Sequence, residues 1–209
     1  MSEENKSDWT PPSIEECVAM LKSGEEGIKK WNVLRKEHWQ WQPDLSGQDF
    51  SGIKLGRVNF SGLDLAGVNF FKANLSMADF EGSDLSEANL SKAYLSNVCF
   101  FVANLSGANL SEAELQDADF LNAFLSKVNL SGASLHEANL CGADLEGANL
   151  ENADMFSVDL SYANLTNANL TDAITTAVNW WDAKIDDVKG MRDADKAICY
   201  ATRVAAKLD

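Results

Sequence analysis

Two histidines, four cysteines and 32 carboxylates are the side chains from which this 209-residue chain could build chemistry. His38 and His136 are far apart, and neither has a partner at metal-ligand spacing. Cys17, Cys99, Cys141 and Cys199 are scattered with no C-x-x-C pair, so neither a zinc site nor a dithiol motif is indicated. Cys141 has no basic neighbour in sequence to activate it. Carboxylate pairs such as Asp117 with Asp119, or Asp144 with Glu146, are the right residue types for acid–base work. That work needs a pocket that shifts their pKa values. These pairs instead recur at the polar positions of a short rhythm, as the solvated face of a repeating coil would. No glycine-rich phosphate loop is present. The expectation is a protein that is not an enzyme, with no cofactor, no metal and no catalytic residue.

The rhythm that places these carboxylates has a period of five. In the stretch "FVANLSGANLSEAELQDADF", the units ANLSG, ANLSE and AELQD follow one another from Ala103. Every fifth residue from Leu45 to Leu170 is Leu, Phe or, once, Met155. Two residues earlier stands Ala or a small variant such as Val58, Val68 or Val98, with Asn or Asp between and Ser after. Neither the 3.6-residue helix nor the two-residue strand has this period. Residues two apart on an extended chain share a side, so each unit turns Ala and Leu inward and Asn or Asp outward. Ser, Gly, Asn and Asp then supply a turn before the next unit. Short internal repeats of this kind mark solenoids, whose units bury little alone and stack into one core. A square coil of four units, 20 residues, follows. Phe60, Phe80, Phe100 and Phe120 then form one inner column, and Phe50 and Phe70 part of another.

The run A-(D/N)-L-S-x, continuing as "ANLCGADLEGANLENADM", resembles the pentapeptide-repeat family over residues 43–172. The resemblance implies an all-β solenoid, a right-handed quadrilateral β-helix with Leu or Phe and Ala filling its interior. It divides the chain into a helical N-terminal leader over 1–42, a β-helix over 43–189 that is degenerate from 173, and a C-terminal helix over 190–209. The segment "GIKKWNVLRKEHWQWQPDLSG" is similar to the helical leader that precedes many bacterial, often cyanobacterial, arrays. Its W-N-x-x-R pattern is here Trp31, Asn32 and Arg35.

An open β-helix ends in unpaired backbone groups, a template for aggregation, so both ends are expected to be covered. Ser13-x-x-Glu16 reads as a capping box opening a first helix. A second spans about Glu25 to Glu37, and Trp31, Trp39 and Trp41 are expected to seal the first coil. Trp180 lies 20 residues after Leu160 and extends the same column. Beyond Gly190, apolar residues at Met191, Ala194, Ile198, Ala201, Ala205 and Leu208 form a narrow helical stripe. That helix reads as a cap or, since the spacing also suits helix pairing, as a dimerisation helix.

Charge bears on partners. The chain carries −15 overall, and residues 43–189 alone hold 21 acidic against 7 basic residues, a net −14. This balance argues against direct nucleic-acid binding, which needs Lys and Arg to displace counterions. The resemblance adds a sharper role. Some members imitate duplex DNA, bind DNA gyrase and protect it from quinolones. Those members are generally less regular and carry a projecting loop or dimer module, whereas this array is unbroken. No apolar run approaches the roughly 20 residues that span a bilayer, and the start "MSEENKSDW" is not a secretory signal. A cytoplasmic monomer or homodimer with no membrane contact is expected.

The residues that break the rule point to a partner. The position after the central Leu or Phe is usually Ser but is Phe71, Phe101, Leu121 and Phe156 in four units. Phe101, Leu121 and Cys141 follow one another at steps of 20, with Val102 and Phe124 at neighbouring outward positions and Tyr94 a further exception. An apolar strip on an otherwise polar surface reads as a contact with another protein, not identified by sequence.

Overall fold

In a computed structural model the structure describes residues 9–205, with side chains through Cys199. Between Leu45 and Lys189 the backbone winds as a right-handed square coil. Asp49 pairs in parallel with Asn69, Asn69 with Asn89, and this step of 20 continues to the pairing of Asn169 with Lys189. Each side is three residues long, too short for more than a single bridge to the next coil. The other two residues of each unit make the corner, so a side is an Ala-Asn-Leu triplet and not the whole unit.

One unit shows why the sequence folds this way. Ala103 N–H donates back to Phe100 C=O at 3.0 Å and closes the corner, while Asn104 N–H reaches the preceding coil at Ser83 C=O, 2.9 Å. Leu105 N–H and Gly107 N–H donate to the following coil, at Phe124 C=O (2.7 Å) and Ser126 C=O (2.9 Å). Ser106 N–H donates to Asn104 Oδ1 at 3.1 Å, an Asx turn. All five N–H groups are satisfied, as a buried backbone demands. Asn or Asp recurs because only a short side-chain oxygen closes that last bond. Where Asp supplies it, as at Asp49, the N–H of Ser51 holds the carboxyl below the usual carboxylate range. The second corner residue has φ > 0 in every unit from Gly47 to Asp187, as a type II turn requires.

The core is the inward column set. Phe60, Phe80, Phe100 and Phe120 are fully buried and stack at centroid distances of 5.5, 5.2 and 4.9 Å. Phe50 and Phe70 stack at 5.6 Å in the column across the coil. The units after Leu170, degenerate in sequence, still pair through Ile174, Asn179, Lys184 and Lys189. These bonds are between backbone groups, so they survive loss of the side-chain pattern.

Two helices close the N-terminal end. Helix α1 (Ile14–Lys22) opens on the Ser13/Glu16 capping box, and α2 (Glu25–Glu37) follows. Trp31, Asn32 and Arg35 of α2 stand in for the coil that would precede the first. Trp31 Nε1 donates to Asn59 C=O (2.7 Å), a carbonyl that in later coils accepts from the coil above. Asn59 N–H donates to Asn32 Oδ1 (2.9 Å), and Asn32 Nδ2 donates to Arg57 C=O (2.8 Å). Arg35, 6 % exposed, donates to Ser61 C=O at 2.5 Å and to Trp41 C=O. Burial lowers the Arg35 pKa, while Asp79 pulls it the other way. Trp31 is fully buried, between Trp41 at 5.3 Å and Phe60 at 5.9 Å. Trp39, expected to help seal the coil, does not: it is 72 % exposed. Trp31 and Arg35 already occupy the coil's end, and the chain leaving α2 returns only Trp41 to it.

At the other end α3 (Asp193–Ala205) covers the last coil. Its buried face is Met191, Asp195 and Cys199, while Ala194 and Ile198 of the expected stripe are exposed. Of the remaining stripe residues, the Ala201 and Ala205 side chains and all of Leu208 lie outside what is described. The helix is rotated because Thr175 occupies a core position and needs a polar partner. Thr175 Oγ1 donates to Asp195 Oδ2 at 2.7 Å, and Arg192 donates to Asp195 (2.8 Å) and to Thr175 C=O (2.9 Å). Asp195→Ala leaves that buried hydroxyl and the guanidinium without their acceptor, and an expected loss of about 2 kcal/mol follows. Thermal unfolding measures the loss, and hydrogen exchange places it in the last coil.

A candidate protein-contact strip along one corner

The four sides differ in what they show to solvent. Side I, carrying residues 98–100, presents Asn59, Asp79, Cys99, Asp119, Asn139 and Asp159 outward. Side II, carrying 103–105, presents Asp44, Asp64, Asp84, Asn104, Phe124 and Asp144. Side III, carrying 108–110, is an amide ladder from Asp49 down to Asn169. Asn69, Asn89, Asn129, Asn149 and Asn169 each donate Nδ2 to the rung before, as Asn89 to Asn69 (3.0 Å) and Asn169 to Asn149 (3.1 Å). Acidic residues therefore concentrate on the two sides that flank corner I/II.

That corner is where the apolar exceptions collect. Phe101 and Val102, Leu121, and Cys141 occupy it in three consecutive coils, linked by Val102 N–H to Leu121 C=O (3.1 Å) and Asn122 N–H to Cys141 C=O (3.0 Å). Phe101, Leu121 and Cys141 are half-buried, Val102 is 37 % exposed, and Phe124 on side II is 54 % exposed. The edge continues beyond the residues read from sequence. Tyr162 (60 % exposed) and Trp181 (43 %) lie on the same corner in the last two coils, joined by Tyr162 N–H to Trp181 C=O at 2.8 Å. Both lie at steps of 20 from the first pair, Trp181 from Phe101 and Tyr162 from Val102, which is the signal that finds them. Four steps of about 4.8 Å between these five coils give an edge roughly 19 Å long.

Val102 carries φ +49, where the same corner uses Gly62, Gly82, Gly142 or Asn122 in other coils. A β-branched residue in the left-handed region is strained by about 1–2 kcal/mol. The other exceptions do not join the strip. Phe71 lies at another corner beneath Lys72 Nζ, 5.1 Å from its ring. Phe156 lies 5.8 Å from the His136 ring, whose Nε2 is 2.6 Å from Asp154 Oδ2. Tyr94 stands on side IV.

Burial pushes the Cys99 thiol up from its ordinary value, and Asp79, Asp119 and Glu81 add to the effect. The Cys17 thiol is raised by burial as well. Among the described residues no cluster of three His, Cys, Asp or Glu side chains is placed to hold a metal ion. No helix among them is long and apolar enough to cross a membrane.

A sequence profile described as pentapeptide repeats matches residues 44–76 and 133–172 in eight copies, and one described as a pentapeptide repeat region matches 74–150. The chain belongs to the pentapeptide-repeat family. Three solved pentapeptide-repeat structures show the range of likeness. HetL, involved in heterocyst differentiation regulation in the cyanobacterium Nostoc sp. strain PCC 7120, is 24 % identical, covering 74 % of this chain and 92 % of that one at a TM-score of 0.29. Rfr23 from the cyanobacterium Cyanothece 51142 is 27 % identical over 77 % and 98 %, with a TM-score of 0.23. QnrB1, a plasmid-mediated fluoroquinolone resistance protein, is 20 % identical over 79 % and 93 %, with a TM-score of 0.49. Among curated proteins, none matches the chain. Against the regular pentapeptide-repeat unit, corner I/II stands out as a run of substitutions that the coil itself does not require.

Proposed function

We propose that this pentapeptide-repeat protein is a non-catalytic binding rod that docks a partner protein along corner I/II. The observation that carries this reading is the apolar edge from Phe101 to Trp181, at positions where the repeat uses Ser, Gly or Asn. Its flanks define the partner. Asp79, Asp119 and Asp159 lie on one side and Asp64, Asp84 and Asp144 on the other. A complementary surface is an apolar ridge rimmed by Lys and Arg. Such a contact forms faster at low salt, because the charged rims steer the encounter while the apolar edge supplies the burial.

The double variant Phe101→Ser, Leu121→Ser tests it. Ser is the usual residue at this position of the repeat, where its hydroxyl can bond the Asn or Asp two before it, as Ser61 Oγ bonds Asn59 Oδ1 at 2.9 Å on this corner. Asp119 offers that acceptor to Leu121→Ser, whereas Phe101→Ser follows Cys99 and leaves its hydroxyl to solvent. Stability is therefore expected to stay within about 0.5 kcal/mol of wild type. Capture of a basic partner by immobilised protein should fall at least tenfold for this variant, and not for a control pair on the side III corners. Equal capture by wild type and variant removes the reading.

A second reading rests on the net −14 of residues 43–189: the acidic sides imitate the phosphate lines of a duplex and occupy DNA gyrase. Supercoiling by gyrase in the presence of the protein separates the two. Inhibition that persists in the Phe101→Ser, Leu121→Ser variant favours the acidic surface, and no inhibition at micromolar protein discards it.

A further inference from the structure

Two cations without an ion-pair partner among the described residues, Lys36 and Arg57, meet at the N-terminal cap in a cleft of about 510 Å3 between α2 and the first coil. We propose that this cleft binds a small planar ring carrying an anionic group, of the nucleoside-monophosphate kind.

Its volume lies within the range of about 300–1,000 Å3 typical of small-molecule sites. Lys36 from α2 and Arg57 from the first coil line it, and neither is engaged in an ion pair. Arg35 lies behind them, its two terminal nitrogens committed to Ser61 and Trp41 carbonyls and its buried Nε without a partner. Asp79 is the one carboxylate in the lining, so three cations against one anion leave a local excess of two positive charges. Residues 58–189 by contrast hold 19 acidic and 5 basic side chains.

Two further groups select the shape. Trp39 lines the cleft with its indole 72 % exposed, a free stacking surface for a flat ring. Asn59 is the first rung on side I. Lower on that side an amide Nδ2 donates to the rung above, as Asn139 to Asp119 at 2.9 Å and Asn179 to Asp159 at 2.9 Å. No rung precedes Asn59, so its Nδ2 is available to a ligand in the cleft it lines. A ring on Trp39 with its phosphate between Lys36 and Arg57 uses all of these groups, and an Arg guanidinium matches phosphate geometry.

The test titrates the full chain with adenosine monophosphate, adenosine and inorganic phosphate, read by tryptophan fluorescence and calorimetry at low salt. The expected result is saturable binding of adenosine monophosphate, with adenosine and phosphate each at least tenfold weaker. Trp39→Ala and Arg57→Ala each weaken binding about tenfold, a change of about 1.4 kcal/mol. Asp79→Asn tightens it, since the amide keeps the oxygen that accepts from Glu81 N–H (3.0 Å) and removes the repelling charge. Absence of saturation at millimolar nucleotide overturns the proposal, as does unchanged affinity in both Trp39→Ala and Arg57→Ala. Equal affinity for phosphate alone overturns the requirement for a ring. Because Trp39, Lys36 and Arg57 lie outside the Phe101–Trp181 edge, failure of their variants to change nucleotide binding leaves the partner-binding strip untouched.

Discussion

Trp31→Ala is expected to cost about 4 kcal/mol, the cost of emptying a buried indole site in a packed core. The side chain fills the open end of the β-helix, touching Trp41 and Phe60, and its Nε1 satisfies Asn59 C=O. Alanine removes both the volume and the donor, leaving a carbonyl at the edge of the core without a partner. The damage is directional. A solenoid's stability is a sum over neighbouring coils, so a lost cap releases the first coil before the rest. Hydrogen exchange should show early opening of the Phe60 and Leu65 amides, with those around Leu130 unchanged in rank. Exposure of the first coil also frees an unpaired edge, so light scattering on heating should rise earlier than in wild type. A variant that loses less than about 1 kcal/mol, or that opens uniformly along the rod, would show that α2 merely rests on the coil.

Phe100→Ala should cost a similar amount, about 4 kcal/mol, but with a different pattern. Phe100 stacks on Phe80 at 5.2 Å and on Phe120 at 4.9 Å, with no exposed surface. Its cavity lies in the middle of the rod and weakens two coil interfaces at once. Both halves of the array depend on those interfaces, so the unfolding transition should move down and broaden, with protection lost on either side of residue 100. Phe100→Leu should recover most of the loss, leaving a deficit of about 1 kcal/mol. The same column already uses Leu140 and Leu160 further along. Equal losses for Ala and Leu would mean that ring stacking, and not filled volume, stabilises the column.

The legibility of this protein in its sequence follows from how locally each feature is specified. The Leu or Phe at every fifth residue, the Ala two before it and the Asn or Asp between them are each fixed by a contact within one unit or to the adjacent coil. Such contacts repeat, so they leave a period in the sequence. The 20-residue coil follows from the spacing of Phe60, Phe80, Phe100 and Phe120, because stacked rings must be one coil apart. Trp31, Asn32 and Arg35 were visible as a pattern, but nothing in the pattern says which backbone groups they complete. That depends on where α2 lies across the first coil. Trp39 and Trp41 differ by two residues and by burial, a difference set by the direction in which the chain leaves α2. The stripe of Met191, Ala194 and Ile198 predicts one buried face at the C-terminal end; Met191 is buried, but the Thr175–Asp195 hydrogen bond turns Asp195 and Cys199 inward and leaves Ala194 and Ile198 exposed.

The same division holds for the candidate site. Phe101, Val102, Leu121, Phe124 and Cys141 could be named from sequence as exceptions to a rule. Tyr162 and Trp181 lie at the same steps of 20, but that Trp181 joins their edge depends on the coil keeping its register through the degenerate units after Leu170. By itself the sequence determined the repeat, the inward columns and the solenoid architecture, because these rest on short-range periodic contacts. The tertiary structure alone decided how the caps complete the end coils, which sides border the apolar corner, and where the cations gather around a cleft. Those features join residues from different coils and helices, and no single period in the chain encodes their meeting.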